Sequence, residues 1–245
     1  MNNVIFTDLA TIDFKEAWEL QERFLQAAVN SKMANRNASH PLQQLPEHRL
    51  LFCEHPHVYT LGKSGHEKHL LVNDEWLKTK NATYYRINRG GDITYHGPGQ
   101  LVGYPILDLD QFYNDIHLYL RNLEEVVIRM LAGYGIKGQR ISGLTGVWID
   151  ADTKHARKIC AYGVRCSRWV TMHGFALNVN PLLEYFNYIV PCGISDKQVT
   201  SMEKELGQKV DMEEVKERML LCFSKVFNCI ITKNQLFTEQ GAASN

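Results

Sequence analysis

One of the six cysteines in the sequence lies outside any apolar pattern and could act as a nucleophile. Cys192 stands between Pro191 and Gly193, whereas a core cysteine such as Cys222 lies on the apolar stripe of a helix. In such a turn the sulfur can face solvent while a neighbouring N–H group points at a substrate oxygen. A loop cysteine without a role is about as common, so a functional interpretation requires a nearby group that generates the thiolate.

A basic side chain could provide that group by lowering a thiol pKa that is about 8.5 in a free cysteine. Lys158 begins the β-like residues 158–164, where most lysines face solvent. A lysine that points inward would instead stabilise a thiolate and carry protons. His96 and His173, each followed by glycine, compete because a Cys–His couple also suits acyl transfer. The residues alone leave the partner of Cys192 open.

A second candidate site is the glycine-rich stretch of residues 89–100, RGGDITYHGPGQ. Glycine has no Cβ and tolerates positive φ, so such a stretch can lie close to a ligand. A hairpin connection would use the same residues, and both interpretations stay open at this point. The sequence contains neither a P-loop nor a Rossmann fingerprint, which removes the main reason to expect a nucleotide.

The composition excludes several classes of protein. Lysine and arginine together number 27, as do aspartate and glutamate, which argues against a general binder of nucleic acid or membrane surfaces. No apolar run approaches the roughly 18 residues of a membrane span, and no secretion signal is recognisable. The cysteines match no zinc spacing, so we predict no metal. Reduced thiols and a cytoplasmic location are expected.

Positive charge is concentrated in residues 137–168, where seven basic side chains stand against two acidic ones. A solvated basic face is the simpler interpretation. The alternative is a docking patch for an acidic partner, which would mainly accelerate and orient binding. The basic residues are Lys137, Arg140, Lys154, Arg157, Lys158, Arg165 and Arg168, and the acidic ones are Asp150 and Asp152.

Three helices are predicted from capping residues and apolar periodicity. Asp13 opens a helix of about 15 residues with capping-box spacing, and the polar residues 30–46 are predicted to form a surface excursion. Apolar residues at intervals of three and four predict a helix over residues 115–132. Asp211, with a second capping box, predicts the last helix.

Strands are predicted at residues 50–53, 58–61, 84–88, 101–109, 146–149, 158–164 and 170–179. Strands and helices do not alternate regularly, which favours an α+β or mixed α/β fold in one domain over a doubly wound sheet. We expect one catalytic domain over residues 1–237 and a flexible tail over residues 238–245.

Five segments, which follow one another along the chain in the order of the family, resemble the octanoyltransferase family of lipoate biosynthesis. Residues 89–100 match R-G-G-x-x-T-[FY]-H-x-P-G-Q, and residues 55–62 match H-P-x-V-[YF]-T-x-G. Further along the chain come the lysine segment at 158–163, the segment H-G-F-A-L-N-V at 173–179 and P-C-G at 191–193. The resemblance covers about residues 3–226. It implies a fold similar to that of biotin and lipoate protein ligases, with a central mixed sheet flanked by helices.

The resemblance also implies an activity and its residues. An octanoyl group would pass from octanoyl-acyl carrier protein to a lysine of lipoyl domains in 2-oxoacid dehydrogenase complexes, or of the glycine cleavage H protein, without a cofactor. Cys192 would carry the acyl thioester and Lys158 would lower its pKa. The implied substrate-binding residues are Arg89, Gly90, Gly91, Asp92, Ile93, Thr94, Tyr95, His96, Ala161, Tyr162, Gly163, Gly174, Phe175 and Ala176. An ATP-dependent lipoate-protein ligase of the same fold and a non-catalytic acyl-binding module are the alternatives.

Overall fold

The computed structural model describes residues 1–37, 45–190 and 198–234. Its strands are β1 (Asn2–Thr11), β2 (His48–Glu54), β3 (Val58–Leu61), β4 (Thr83–Arg86), β5 (Ile93–His96), β6 (Gln100–Ile106), β7 (Gln139–Ile141), β8 (Leu144–Ile149), β9 (Arg157–Ser167), β10 (Val170–Asn178), β11 (Gln198–Val199) and β12 (Cys229–Lys233). Its α-helices are α1 (Phe14–Asn37), α2 (Asp74–Thr79), α3 (Ile116–Ala132), α4 (Met202–Leu206) and α5 (Met212–Phe227).

Most of the described strands form one mixed sheet in the order β12-β1-β2-β6-β10-β9-β8-β7. Strand β1 runs parallel to both β12 and β2, and the pairs from β2 to β7 are antiparallel. Strand β11 adds a short parallel pair to β9. The predicted mixed sheet is confirmed, and strands β9 and β10 lie near its middle.

Helices cover both faces of this sheet because side chains alternate along its strands. In β2, Leu50 packs into the core that contains α3 and α5, while Leu51 packs into the core that contains α1. Helices α3 and α5 start where the sequence predicts. The Asp115 carboxylate accepts the N–H groups of His117 and Leu118 at 2.8 and 3.0 Å. Asp211 starts α5 in the same way.

Helix α1 is longer than predicted and runs into the region expected to be a surface excursion. It continues to Asn37, and residues 38–44 lie outside the described part. The polar side chains here are compatible with a helix. One of them, Lys32, forms ion pairs with Asp108 and Asp110 and donates to the Arg168 carbonyl at 2.8 Å. Those partners are distant in sequence, so periodicity alone could not show what holds this end of α1.

A second, small sheet contains four of the twelve residues of the glycine-rich stretch, as strand β5. Strand β3 pairs in parallel with β4 and antiparallel with β5. An aromatic core backs this sheet, in which Tyr59, Tyr95 and Tyr185 are buried and the last two rings stack at 5.1 Å. Residues 89–100 are therefore neither a simple loop nor one strand. They comprise a tight turn, strand β5 and a second glycine turn that leads into β6.

Candidate active site

A cavity of about 320 Å³ lies where the small sheet meets strands β9 and β10. This volume is at the lower end of the roughly 300–1,000 Å³ of typical ligand sites. Three segments that are distant in sequence line the cavity: residues 89–94, 158–164 and 173–176. The fold thus brings the glycine-rich stretch, the lysine segment and the His-Gly segment together.

All but one of the predicted substrate-binding residues line this cavity. They are Arg89, Gly90, Gly91, Asp92, Ile93, Thr94, His96, Ala161, Tyr162, Gly163, Gly174, Phe175 and Ala176. The exception is Tyr95, which is fully buried in the small-sheet core and lies 2.7 Å from His57 Nδ1 through its hydroxyl. Side chains alternate along β5, so Tyr95 faces away from His96. A binding role for the other residues stays a prediction.

Arg89 braces the glycine turn. Its guanidinium donates to the Thr60 carbonyl at 2.6 Å, to the Thr60 hydroxyl at 3.0 Å and to the Gly90 carbonyl at 3.0 Å. The Gly90 N–H donates in turn to the Val164 carbonyl of β9 at 2.9 Å. A Cβ at Gly163 would lie 2.8 Å from Arg89 Cδ, so this close approach requires glycine. Arg89 is therefore a structural link between the two sheets.

Lys158 lies half-buried on β9 and lines the cavity. Its ammonium nitrogen is 4.6 Å from the centroid of the Trp148 ring, within the range of a cation–π contact. Its backbone pairs with Val199 of β11, and the Thr200 N–H donates to its carbonyl at 2.9 Å. The prediction that Lys158 faces a site instead of bulk solvent is consistent with this position. Cys192 lies outside the described residues.

A buried carboxylate supports the wall behind Lys158. Glu124 of α3 is fully buried and accepts the Gly146 N–H at 2.9 Å, the Arg140 Nε–H at 3.1 Å and an Arg121 N–H at 3.0 Å. Burial raises the pKa of the Glu124 carboxyl, while these donors oppose the rise. A Cβ at Gly146 would lie 3.1 Å from Lys158 Cε, so Glu124 holds β8 directly against the lysine.

The two histidines of the cavity are neutral near pH 7. His96 Nδ1 lies 2.7 Å from Gln100 Oε1, and His173 Nε2 lies 2.9 Å from Asn88 Oδ1. Burial lowers the pKa of each imidazole to about 3. Neither histidine can therefore provide the positive charge that would stabilise a Cys192 thiolate, which leaves Lys158 as the better of the predicted partners.

The described cysteines are poor nucleophiles. Burial raises the thiol pKa at each of them: Cys53, Cys160, Cys166, Cys222 and Cys229. Cys160 lines the cavity, but its pKa is raised to about 12, so it is protonated at neutral pH. Among the six cysteines, Cys192 remains the candidate that this argument does not remove.

The positive charge counted over residues 137–168 is largely compensated in the structure. Arg157 forms an ion pair with Glu205 at 2.6 Å, and Arg165 with Glu22 at 2.7 Å. Arg140 binds two glutamates of α3. These acidic partners come from other parts of the chain, so a count within one segment overstates the charge that a partner would meet.

Other cavity residues were not predicted from the sequence. They are Phe14, Ile87, Val102, Tyr104, Leu120, Gly143, Leu144, Thr145, Trp148, Cys160, Val164, Asn178, Phe186 and Val199. Val102 and Tyr104 alternate with Gln100 along β6, so a strand pattern that follows the glycine turn could have indicated them. Phe14 carries no such signal because it starts a helix far from the motifs in sequence.

Two kinds of feature are absent from the described ranges. They contain no cluster of three or more histidine, cysteine, aspartate or glutamate side chains that could hold a metal ion. Nor do they include a helix with the length and apolar character needed to cross a bilayer.

Comparison with known proteins identifies the family. Residues 13–224 match the lipoyl protein ligase A/B catalytic domain. The chain belongs to this family. An octanoyltransferase from Christiangramia forsetii is 58% identical over 222 residues, which cover 90% of the chain and 94% of that relative. One from Flavobacterium psychrophilum is 56% identical over 233 residues, which cover 94% and 100% of the two proteins.

Solved structures confirm the lipoate-ligase type of fold. A lipoate-protein ligase A bound with ATP superposes with a TM-score of 0.66 at 16% identity, covering 98% of this chain and 91% of the other. A bi-partite lipoate protein ligase from Thermoplasma acidophilum also superposes with a TM-score of 0.66 at 16% identity, covering 98% of this chain and 89% of the other. At this identity the likeness shows the fold alone. The mixed architecture expected from the resemblance is therefore confirmed for this family member.

Proposed function

We propose that this family member is an octanoyltransferase that moves an octanoyl group from octanoyl-acyl carrier protein to a lysine of lipoyl domains. The observation that carries the proposal is the identity of 56–58% with octanoyltransferases over at least nine tenths of the chain. The cavity that contains Lys158 adds independent support. The acceptors would be lipoyl domains of 2-oxoacid dehydrogenase complexes and the glycine cleavage H protein, in the cytoplasm.

In the first half-reaction the Cys192 thiolate attacks the carbonyl carbon of the octanoyl thioester. The carbon–sulfur bond to the carrier then breaks, and the carrier leaves as a thiolate that takes a proton from the Lys158 ammonium, which leaves Lys158 neutral for the second half-reaction. The donor is an activated thioester, so this step requires no nucleotide. Lys158 would stabilise the Cys192 thiolate through its positive charge, as cationic side chains do at reactive cysteines.

In the second half-reaction the neutral amine of the acceptor lysine attacks octanoyl-Cys192. The new carbon–nitrogen bond forms, the Cys192 thiolate leaves, and the amine loses a proton. Lys158 is our first choice for the proton acceptor. His96 is the other candidate, but its pKa of about 3 makes it a weak base at neutral pH. Backbone N–H groups of a glycine turn would hold the developing oxyanion.

The main alternative is an ATP-dependent lipoate-protein ligase, because ligases share the fold. A ligase activates its acid by adenylation and does not need Cys192. The two functions separate when the protein is incubated with octanoyl-acyl carrier protein and an apo lipoyl domain without ATP. We expect octanoylation of the lipoyl domain under these conditions. No product without ATP, and product with octanoate plus ATP, would establish the ligase instead.

A cysteine series tests the covalent intermediate and excludes a module that only binds acyl groups. Intact-mass analysis after incubation with octanoyl-acyl carrier protein should show one octanoyl adduct on the wild type and none on Cys192→Ala. Cys192→Ser should transfer almost nothing, because a serine hydroxyl provides almost no anion. Cys166→Ala is the matched control, since Cys166 is exposed and does not line the cavity. An adduct that persists in Cys192→Ala would place the nucleophile elsewhere.

Lys158→Ala should lower the transfer rate by roughly 10²- to 10⁴-fold, the usual contribution of a positioned acid or base. Lys158→Arg keeps the positive charge but gives up its proton far less readily. It should therefore form the Cys192 adduct faster than Lys158→Ala and still fail in the second half-reaction. Near wild-type transfer by Lys158→Ala would exclude the lysine from both steps.

A further inference from the structure

The cavity is open at one end and closed at the other. Gly143 and Thr145 at its β8 end are exposed, and Leu144 between them is half-exposed. At the β6 end, Val102 and Tyr104 are only 1% and 3% exposed. Strands β10 and β9 separate β6 from β8, so the two ends lie three strand spacings, roughly 14 Å, apart. A ligand that enters from solvent must therefore end against β6.

A row of small side chains leads to this closed end. Ala161 of β9 lies opposite Ala176 of β10, and Ala176 lies opposite Val102 of β6. Residues that lie opposite each other share a face, so the three side chains form one line across the sheet. All three line the cavity. The small methyl groups of the two alanines leave space above the sheet for a ligand, and the larger Val102 side chain blocks that space at β6.

Phe14 closes the same end from α1, and its ring is fixed. It is 2% exposed and lies nearly parallel to His96 at 6.1 Å between ring centroids. Tyr85 stacks on it at 5.6 Å, and His55 meets it edge to face at 5.4 Å. Trp18 is a fourth aromatic neighbour, at 6.3 Å, so the Phe14 ring cannot rotate away without disturbing these rings and forms a rigid wall.

The imidazoles at the closed end are neutral near pH 7. Burial lowers the pKa of His96 and His173 to about 3 and that of His55 to about 4, so all three imidazoles are neutral. The guanidinium of Arg89 keeps its positive charge, and its hydrogen bonds go to the carbonyl and hydroxyl oxygens of Thr60 and to the Gly90 carbonyl. An enclosed end formed by Val102, the Phe14 ring and neutral imidazoles suits the methyl end of an alkyl chain rather than a polar group.

We infer that Val102 and Phe14 limit the length of the acyl chain that this protein accepts. The inference rests on the proposed octanoyl transfer and extends it to chain-length selection. Ala161 and Val102 lie two strand spacings, roughly 10 Å, apart. An extended octanoyl chain has seven C–C bonds of about 1.5 Å and is roughly 9 Å long in zigzag form. Two further methylenes would push the chain end into Val102 and Phe14.

The test is the acyl chain-length profile of variants at the closed end. Rates are measured with hexanoyl-, octanoyl-, decanoyl- and dodecanoyl-acyl carrier protein and an apo lipoyl domain. A single methylene in an apolar pocket changes specificity by roughly 10- to 200-fold. Val102→Ala and Phe14→Leu should therefore raise the decanoyl-to-octanoyl ratio of kcat/KM at least about tenfold. Val102→Ile, which adds a methylene, should raise the hexanoyl-to-octanoyl ratio.

Matched controls separate pocket shape from general loosening of the core. Val215→Ala and Phe223→Leu alter fully buried residues that do not line the cavity, so they should leave the ratios unchanged. Calorimetric binding of hexanoate, octanoate and decanoate to the full chain provides a readout without transfer. If the wild type transfers nothing, the proposed function fails, while a shifted binding profile still supports the inference. Unchanged ratios and binding profiles in the folded Val102 variants would overturn it.

Discussion

Glu124→Ala is expected to destabilise the protein more than any neighbouring surface substitution, because this carboxylate joins three parts of the site wall. It is buried on α3 and accepts hydrogen bonds from the Gly146 N–H and from the Arg140 side chain. Gly146 in turn packs against Lys158. Removal of the carboxylate therefore leaves donors without an acceptor and releases β8 beside the cavity.

The magnitude follows from what each donor loses. The Gly146 N–H stays buried without an acceptor, which costs about 1–3 kcal/mol. The side chains of Arg121 and Arg140 are 41% and 34% exposed, so water replaces part of their interaction and each lost ion pair costs about 0.5–1 kcal/mol. We expect the free energy of unfolding of Glu124→Ala to fall by about 3 kcal/mol. That corresponds to a decrease of about 6–12 °C in Tm for a chain of this size.

Urea denaturation followed by circular dichroism measures this loss. Glu125→Ala is the matched control: it neighbours Glu124, also pairs with Arg140, and is 29% exposed. It should cost at most about 1 kcal/mol. Glu124→Gln keeps an oxygen that can accept the Gly146 N–H, so its loss of unfolding free energy should lie between those of Glu124→Ala and Glu125→Ala. Equal losses for Glu124→Ala and Glu125→Ala would refute the idea that the buried carboxylate holds this wall.

Three further substitutions test the buried imidazole of His96 and the close contacts of the glycines. Because the pKa of His96 is about 3 in the folded protein and about 6.5 when unfolded, protonation favours the unfolded state as pH falls below 6.5. The free energy of unfolding of the wild type should therefore rise with pH between pH 4.5 and 5.5, and His96→Gln should lower this slope by about 1.4 kcal/mol per pH unit. Urea titrations at several pH values measure the slope, and an unchanged slope would contradict a buried, neutral His96. Gly174→Ala should cost about 1–3 kcal/mol or more, since its Cβ would lie 2.1 Å from the Gly103 carbonyl oxygen. Gly135→Ala is the control, because a Cβ at Gly135 would have no atom within 4 Å and only the φ of +75° opposes it. Its free energy of unfolding should fall by only about 1 kcal/mol in the same denaturation assay.

The parts of the fold with strong local signals could be predicted from the sequence. The helix that begins after Asp115 has both a capping side chain and an apolar stripe, and the structure contains it with that start. The glycine motifs indicated where chain segments approach each other closely. Gly163 shows why, because a Cβ there would collide with Arg89. Such features depend on residues close together in sequence or on steric limits of glycine.

Features that depend on distant partners could not be predicted. Strands β1 and β12 were missed because each is defined by pairing between opposite ends of the chain. The charge excess around Arg157 and Arg165 suggested a basic patch, yet their acidic partners, Glu205 and Glu22, come from distant elements. Tyr95 belongs to a matched motif but turns into the small-sheet core, because strand alternation decides its direction.

The parallel pairing of β1 with β12 also determines the order in which the chain can assemble during synthesis. Asn2 lies opposite Cys229, so β1 acquires its second neighbour only after the chain has been made as far as residue 229 and beyond. Its pairing with β2 requires far less chain. Until β12 emerges, one side of β1 presents unpaired N–H and C=O groups, the kind of edge at which chains aggregate. The ribosome-bound intermediate should therefore depend on chaperone protection until β12 is available.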